Sequence, residues 1–230
     1  MNKYFFIILL LICSAANVFA QETFVFKDKS KIYDVRVGFE KCEDNDKVTI
    51  CNDKATFYLS KKNQSKVFQA IEMEETYLSL SGKRQKKGDL SELYGEQNSG
   101  VDFTDYNFDG IEDLVISNGN YLPYGGISND VFLFSKAKGK FVRNDELSAL
   151  ESDNMFVDIY EKPNYIETVT KSGCCLHEKT RYRFVKNRLQ KFYVFTEDAT
   201  GVSKWVKLIT RRLINGKWRT TVKRTLRKNY

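Results

Sequence analysis

Between Asp102 and Ile116, in DFTDYNFDGIEDLVI, oxygen-bearing side chains fall at alternating positions: Asp105, Asn107 and Asp109, then Gly110, then Asp113 as the apolar run Leu114-Val115-Ile116 begins. A hard cation needs several oxygens in a small shell. A tight loop can supply them from side chains at relative positions one, three, five and nine and from one backbone carbonyl, here that of Ile111. The chemistry this spacing serves is calcium binding, with Asp105, Asn107, Asp109, the Ile111 carbonyl and Asp113 as the ligand set. Gly110 permits the sharp turn that aims the oxygens inward. An EF-hand would place a bidentate Glu at position twelve and a helix on each side, but position twelve here is Ile116 and apolar, β-branched residues precede it. The loop is therefore expected to lead into a strand. The same residues could instead form an Asx-type turn that holds no metal.

Other chemistry is sparse. The chain has a single His, no GxSxG elbow, no phosphate-cradling glycine loop and no HExxH. The clustered acids around Asp105 are better used on a cation than as a catalytic pair, so no enzymatic activity is expected. Cys42 and Cys51 flank the polar stretch EDNDKVTI, and a local disulfide is the simplest pairing for them; across so short a loop it would stabilise by roughly 2 to 3 kcal/mol. Four cysteines outside the leader permit other pairings as well. The adjacent Cys174 and Cys175 would need a special turn to bond each other, for which Ser172-Gly173 could supply the bend; with His177 nearby they could otherwise form a soft-metal site.

These residues sit in a chain that begins as an exported one. Residues 1–20 hold one Lys, the apolar run from Tyr4 to Ile12, and small residues before Ala20, which is the pattern of a secretory signal cleaved before Gln21. The apolar core is shorter than the run of about 20 residues that a membrane-spanning helix needs. The expected location is the periplasm or the cell surface. Residues 21–200 read as one calcium-binding all-β domain and 201–230 as a basic extension. Without the leader, 36 Lys and Arg stand against 30 Asp and Glu, a net charge of plus six. The excess is local: Gly201 to Tyr230 holds ten Lys or Arg and no acid, leaving the body slightly acidic.

Short runs rich in Val, Ile, Phe, Tyr and Thr recur between turn residues, and the chain has only two prolines. The fold class expected is all-β: a single antiparallel sandwich-like or incomplete propeller-like domain with one short helix at Glu146 to Glu151 and a C-terminal β-hairpin. Strands are predicted at Thr23 to Lys27, Ile32 to Phe39, Ala55 to Ser60, Lys66 to Glu72, Thr76 to Leu80, Asp113 to Ser117, Asp130 to Ser135 and Lys140 to Arg143. More follow at Met155 to Tyr160, Tyr165 to Thr170, Thr180 to Val185 and Leu189 to Phe195, then a terminal pair. Lys83 to Gly88 reads as an exposed basic loop. Asn118 to Gly126 reads as a second loop, and because it carries Tyr121, Leu122 and Tyr124 it either folds back on the domain or contacts a partner.

In the terminal segment, Asn215-Gly216 is a strong two-residue hairpin signal. That turn pairs Ile214 with Lys217 and sets Leu213 opposite Trp218, Ile209 opposite Val222 and Trp205 opposite Leu226 on one face. The other face carries Arg212 opposite Arg219 and Leu208 opposite Lys223. The tryptophan face is expected to dock on the body or on a partner, since an isolated hairpin is marginal. The basic face could meet an anionic envelope surface; nucleic acid is not an expected partner for an exported chain.

The segments DFTDYNFDGIEDLVI, DVFLFSKAKGKFVRNDELSAL, MFVDIY, TRYRFV and LQKFYVF together resemble exported calcium-binding proteins related to immunity proteins of bacterium-killing type IV secretion systems, which are similar in turn to periplasmic inhibitors of invertebrate-type lysozyme. The resemblance covers roughly Val101 to Phe195. It implies a β-rich binding protein with calcium at Asp105, Asn107, Asp109 and Asp113, whose partner is a peptidoglycan-cleaving hydrolase or effector protein. The cysteine pair and the basic extension depart from that pattern. A different class shares the same loop core, the calcium-stabilised structural or adhesive surface modules of the FG-GAP type.

Overall fold

The computed structural model describes residues 22–26, 29–44, 48–81, 100–121, 127–186, 188–202 and 204–227. Residues 1–20, expected to be a leader, and Lys83 to Gly88, expected to be a basic loop, lie outside them. The described residues form three antiparallel sheets and one short helix, so the all-β, sandwich-like expectation is borne out.

The first sheet contains β1 (Glu22–Phe26), β2 (Tyr33–Phe39), β3 (Cys42–Asp44), β4 (Val48–Lys61) and β5 (Val67–Ser81). β4 is its spine. Along one side it pairs with β5; on the other it pairs first with β3 and then with β2, and β1 lies outside β2. The second sheet has the order β6 (Val101–Thr104), β7 (Asp113–Tyr121), β8 (Ile127–Ser135) and β9 (Lys140–Arg143). Helix α1 (Asp145–Asp153) follows. The third sheet runs in chain order through β10 (Phe156–Tyr160), β11 (Tyr165–Ser172), β12 (Leu176–Val185), β13 (Arg188–Asp198), β14 (Trp205–Ile214) and β15 (Lys217–Leu226).

The second sheet is the middle layer, and its strands show why. Successive strand residues point to opposite faces, and both faces of β7 and β8 are apolar. Leu114, Ile116 and Phe132 join Val101, Phe103 and Phe141 in a core shared with Val35, Val37, Phe57 and Leu59 of the first sheet. Val115 and Val131, one residue out of phase, join Leu147 of α1 and Ile166 of β11 in a second core toward the third sheet. At the centre of the first core Tyr33 packs within 6.1 Å of the rings of Phe68, Phe103, Phe134 and Phe141.

α1 begins at Asn144, whose side chain accepts the Leu147 N–H at 2.9 Å, and Asp145 and Glu146 in its first turn favour the positive end of the helix dipole. It is bound to β8 directly, since Ser148 Oγ accepts the Val131 N–H at 3.0 Å.

The strand boundaries differ from the sequence expectation in ways that pairing explains. β3 and β6 are too short to show periodicity and exist because β4 and β7 offer them open edges. The runs predicted separately at Lys66 to Glu72 and Thr76 to Leu80 are one strand, β5, which follows β4 through register shifts at Asp53/Ala55 and Leu59/Ser60. β7 does not stop at Ser117. It continues to Tyr121 through an irregularity at Gly119, whose φ of +78° is open to glycine at little cost. At the same residue a Cβ would lie 3.1 Å from the backbone of Thr76, and the Thr76 hydroxyl donates to the Ser117 carbonyl at 2.6 Å. The first and second sheets touch there with no side chain between their backbones.

The outward face of the third sheet is braced by alternating aromatic rings and guanidinium groups. Tyr160 stacks on Tyr165 at 4.5 Å, the Arg181 guanidinium lies 4.8 Å from the rings of both Tyr165 and Tyr193, and Arg212 lies 5.7 Å from Tyr193. Beneath them Arg181 Nε donates to the buried Glu167 at 2.6 Å. Cation–π contacts of this kind contribute about 0.5 to 1 kcal/mol each at exposed sites.

The terminal hairpin has the expected register throughout: Trp205 faces Leu226, Ile209 faces Val222, Leu213 faces Trp218 and Arg212 faces Arg219. Its attachment to the body runs through the sheet. The hairpin is held edge-on, by hydrogen bonding of β14 to β13, and Val206 at its base is fully buried on the basic face. The tryptophan face stays partly exposed: Trp205 is 40%, Trp218 45% and Val222 55% exposed.

Candidate functional site: the loop from Asp105 to Asp113

β6 and β7 pair so that Thr104 faces Asp113, and residues 105–112 close the turn between them. The loop is organised by its own side chains. Asp105 accepts the Asp109 N–H through Oδ1 at 3.0 Å and the Gly110 N–H through Oδ2 at 2.8 Å. Asn107 Oδ1 accepts the same Asp109 N–H at 2.9 Å, and Asp109 Oδ1 accepts the Ile111 N–H at 2.9 Å. Short polar side chains that bond the backbone just ahead of them are the elements of Asx turns. Gly110 has φ +82° and nothing within 4 Å of its Cβ position, so its requirement is conformational rather than steric.

The sequence reading singled out the oxygens and missed the residues between them. Tyr106 and Phe108 alternate with Asp105, Asn107 and Asp109 and point the opposite way. Tyr106 is buried and donates its hydroxyl to the buried Glu151 of α1, while Phe108, at φ +61°, packs edge-on against Phe184 of β12 at 6.4 Å. The period-two alternation of ring and oxygen in DYNFD was the available signal. A further tie runs to the first sheet. The Ser30 hydroxyl donates to Glu112 and accepts the N–H groups of Ile32 and Tyr33, each at 2.9 Å. The loop is thus clipped to both other sheets.

Asp113 closes the loop from inside. Its side chain is fully buried, and its two oxygens accept the Tyr106 N–H at 3.0 Å and the Phe134 N–H at 2.8 Å. Burial pushes its carboxyl up to about 7; the two N–H donors oppose this, and the neighbouring charges of Asp109 and Asp105 add to it. Burial likewise raises Glu151, against hydrogen bonds from Tyr106 and Asn129. The Tyr106 hydroxyl is pushed well above its ordinary range by burial and by the Glu151 charge. The outer side of the loop opens on a cleft formed by Asp105, Gly110, Ile111 and Glu112 with Glu161 and Asn164 of the β10–β11 turn.

The donor set suits a hard cation. Asp105, Asn107, Asp109 and Asp113 offer oxygen ligands, each hydrogen-bonded carboxylate oxygen retains a lone pair, and the charges of Asp109 and Asp105 add to the rise that burial gives Asp113. As the side chains stand, no three His, Cys, Asp or Glu among the described residues are drawn together into a metal cluster. The carboxylates are directed to loop N–H groups instead.

The other predicted sites are placed as follows. Of the three residues proposed to contact a partner, only the backbone of Tyr121 is among the described atoms, paired with Ile127; the Tyr121 side chain, Leu122 and Tyr124 lie outside the described residues. Cys42 and Cys51 face each other directly across β3 and β4, and their sulfurs are bonded at 1.99 Å. Cys174 and Cys175 are bonded to each other in the β11–β12 turn, beside Gly173 at φ +63°. As a bonded pair they present no thiolate, and His177 Nδ1 lies 3.5 Å from Glu197 on the neighbouring strand rather than turned toward the sulfurs. Among the described residues no helix is long and apolar enough to cross a membrane.

No family model and no curated protein matches the chain. Among solved structures, a Xanthomonas protein described as related to a type IV secretion system superposes with a TM-score of 0.64 at 23% identity, over 89% of this chain and 94% of that one. At that identity the likeness is one of fold, and it spans all three sheets.

Proposed function

We propose that the chain is an exported, non-enzymatic binding protein whose Asp105 loop holds calcium and whose partner is a peptidoglycan hydrolase or effector that it binds or inhibits. One observation carries the calcium reading: a loop whose aromatic side chains anchor inward while Asp105, Asn107 and Asp109 keep their oxygens at the surface, backed by the buried Asp113 carboxylate. Calcium would be held by those four side chains and the Ile111 carbonyl, and would neutralise the three carboxylates. The hydrolase reading is supported by the resemblance of the central segments to immunity and lysozyme-inhibitor proteins and by a shared fold with a secretion-related protein.

Thermal unfolding of the mature chain in calcium and in chelator tests the first part. At a hundredfold excess over Kd, calcium is expected to add about 2.7 kcal/mol, which for a chain of this size raises Tm by roughly 5 to 10 °C. Asp109→Ala should lose the gain. Identical melting in calcium and chelator would overturn the calcium reading. Inhibition of cell-wall lysis across a panel of lysozyme-type enzymes tests the second part. Loss of inhibition in Tyr121→Ala combined with Tyr124→Ala would assign the contact to that loop. Failure against the whole panel would overturn the hydrolase partner.

A further inference from the structure

The terminal hairpin carries a surface that the calcium loop and the hydrolase reading leave unused. On β14 the residues Trp205, Ile209 and Leu213 share a face, and opposite them on β15 stand Leu226, Val222 and Trp218. This face lies on the outer two strands of the third sheet, beyond the second core, with Trp205, Trp218 and Val222 each two-fifths exposed or more. An apolar stripe at the rim of a sheet costs solubility unless something covers it.

Charge decides what that occupant is. Lys207 and Arg211, on the same face, lean inward to Asp198 and Glu178, each at 3.7 Å. The exposed cations are Arg224 within the stripe and Lys204 and Lys217 at its two ends, while Arg227 turns back to donate to the Ala199 and Gly201 carbonyls; residues 201–230 contain no acid to offset them. A second copy of the chain is a poor occupant. Among the described residues β15 has no strand on its outer edge, and pairing two such edges would set Arg219, Lys223 and Arg224 against the same residues of the other chain. An anionic bilayer surface meets both demands at once. Indole rings settle at the boundary between headgroup and acyl chain, and long cationic side chains beside them reach back to lipid phosphates.

We infer that the Trp205–Trp218 face of the terminal hairpin docks on anionic phospholipid. Trp218, Val222 and Leu226 on the edge strand enter the interface first, with Trp205, Ile209 and Leu213 behind them. The flanking cations bind headgroup phosphates. This stands apart from calcium and from any hydrolase, and it can fail or hold without them.

The chain contains two tryptophans, both on this face, so intrinsic fluorescence reports on it directly. The mature protein is mixed with phosphatidylglycerol vesicles, with phosphatidylcholine vesicles and with dextran sulfate. Expected are co-sedimentation with phosphatidylglycerol, a blue shift of tryptophan emission on binding, weakening as salt rises, and little retention on phosphatidylcholine. Trp218→Ser combined with Val222→Ser alters two exposed side chains, so its circular dichroism and melting should match wild type while vesicle affinity drops roughly tenfold or more. Arg224→Glu combined with Lys217→Glu should abolish retention. No binding to phosphatidylglycerol at low salt overturns the inference. So does equal binding to both lipids, binding without a blue shift as with dextran sulfate, or a lipid-free dimer in which the tryptophans are already shielded.

Discussion

The Asp113 carboxylate accepts the backbone N–H of Phe134 at 2.8 Å, tying the last residue of the loop to the strand beside its own. With its other oxygen on the Tyr106 N–H, this one side chain fixes both ends of the loop. Asp113→Ala leaves two buried donors without partners and should cost roughly 2 to 4 kcal/mol by urea unfolding. Asp113→Asn keeps one acceptor oxygen and should fall in between.

Glu151 makes stability depend on pH in a definite direction. Burial raises its folded-state carboxyl above the ordinary value of 4.5, so the folded chain holds this proton more tightly than the unfolded chain does. Its contribution is therefore greatest below the ordinary value and is lost as pH climbs through the raised one. Glu151→Gln should flatten that part of the slope, read as a smaller fall in Tm between pH 5 and pH 8 than in wild type.

Gly119 combines a positive φ with a backbone approach so close that a methyl group would have to push the Thr76 backbone aside. Gly119→Ala should destabilise by roughly 1 to 3 kcal/mol, from strain and from separation of the first two sheets. Denaturant midpoints give the value directly. An unchanged midpoint would mean that the contact to Thr76 is not needed.

Ser117 lies beside it with a buried hydroxyl that has no hydrogen-bond partner among the described residues. Removing an unsatisfied group removes its desolvation cost, so Ser117→Ala should be neutral or stabilising by up to about 1 kcal/mol. A marked loss of stability would show that the hydroxyl is in use.

Much of this architecture is legible in local pattern. β9 begins and ends where the alternation in KFVR predicts, and Asn215-Gly216 sets ten cross-strand pairs in β14 and β15. The rest depends on partners remote in sequence. β6 offers four residues, too few for a period, and is a strand because β7 pairs with it. The run Leu114 to Ile116 reads as a buried strand, but only the packing reveals that its two faces belong to different cores. In the loop, oxygen ligands stand out by spacing. Tyr106 and Phe108 read as ordinary hydrophobics until Glu151, 45 residues on, and Phe184 supply their counterparts. Amphipathicity of the terminal hairpin is plain in the sequence, yet whether its apolar face is covered is a property of the assembled sheet.

The third sheet places every strand beside its chain neighbour, from β10 to β15. Each pairing closes only a short loop, so this sheet has low contact order and should zip early in folding, whereas the first sheet must pair β2 with β4 across the intervening β3. The same order lets the third sheet open from one end. Amide exchange in β15 should run fastest, slowing strand by strand toward β11, where Ile166 is fully buried in the second core. The hairpin can therefore detach and re-dock without unfolding the loop that lies beyond it.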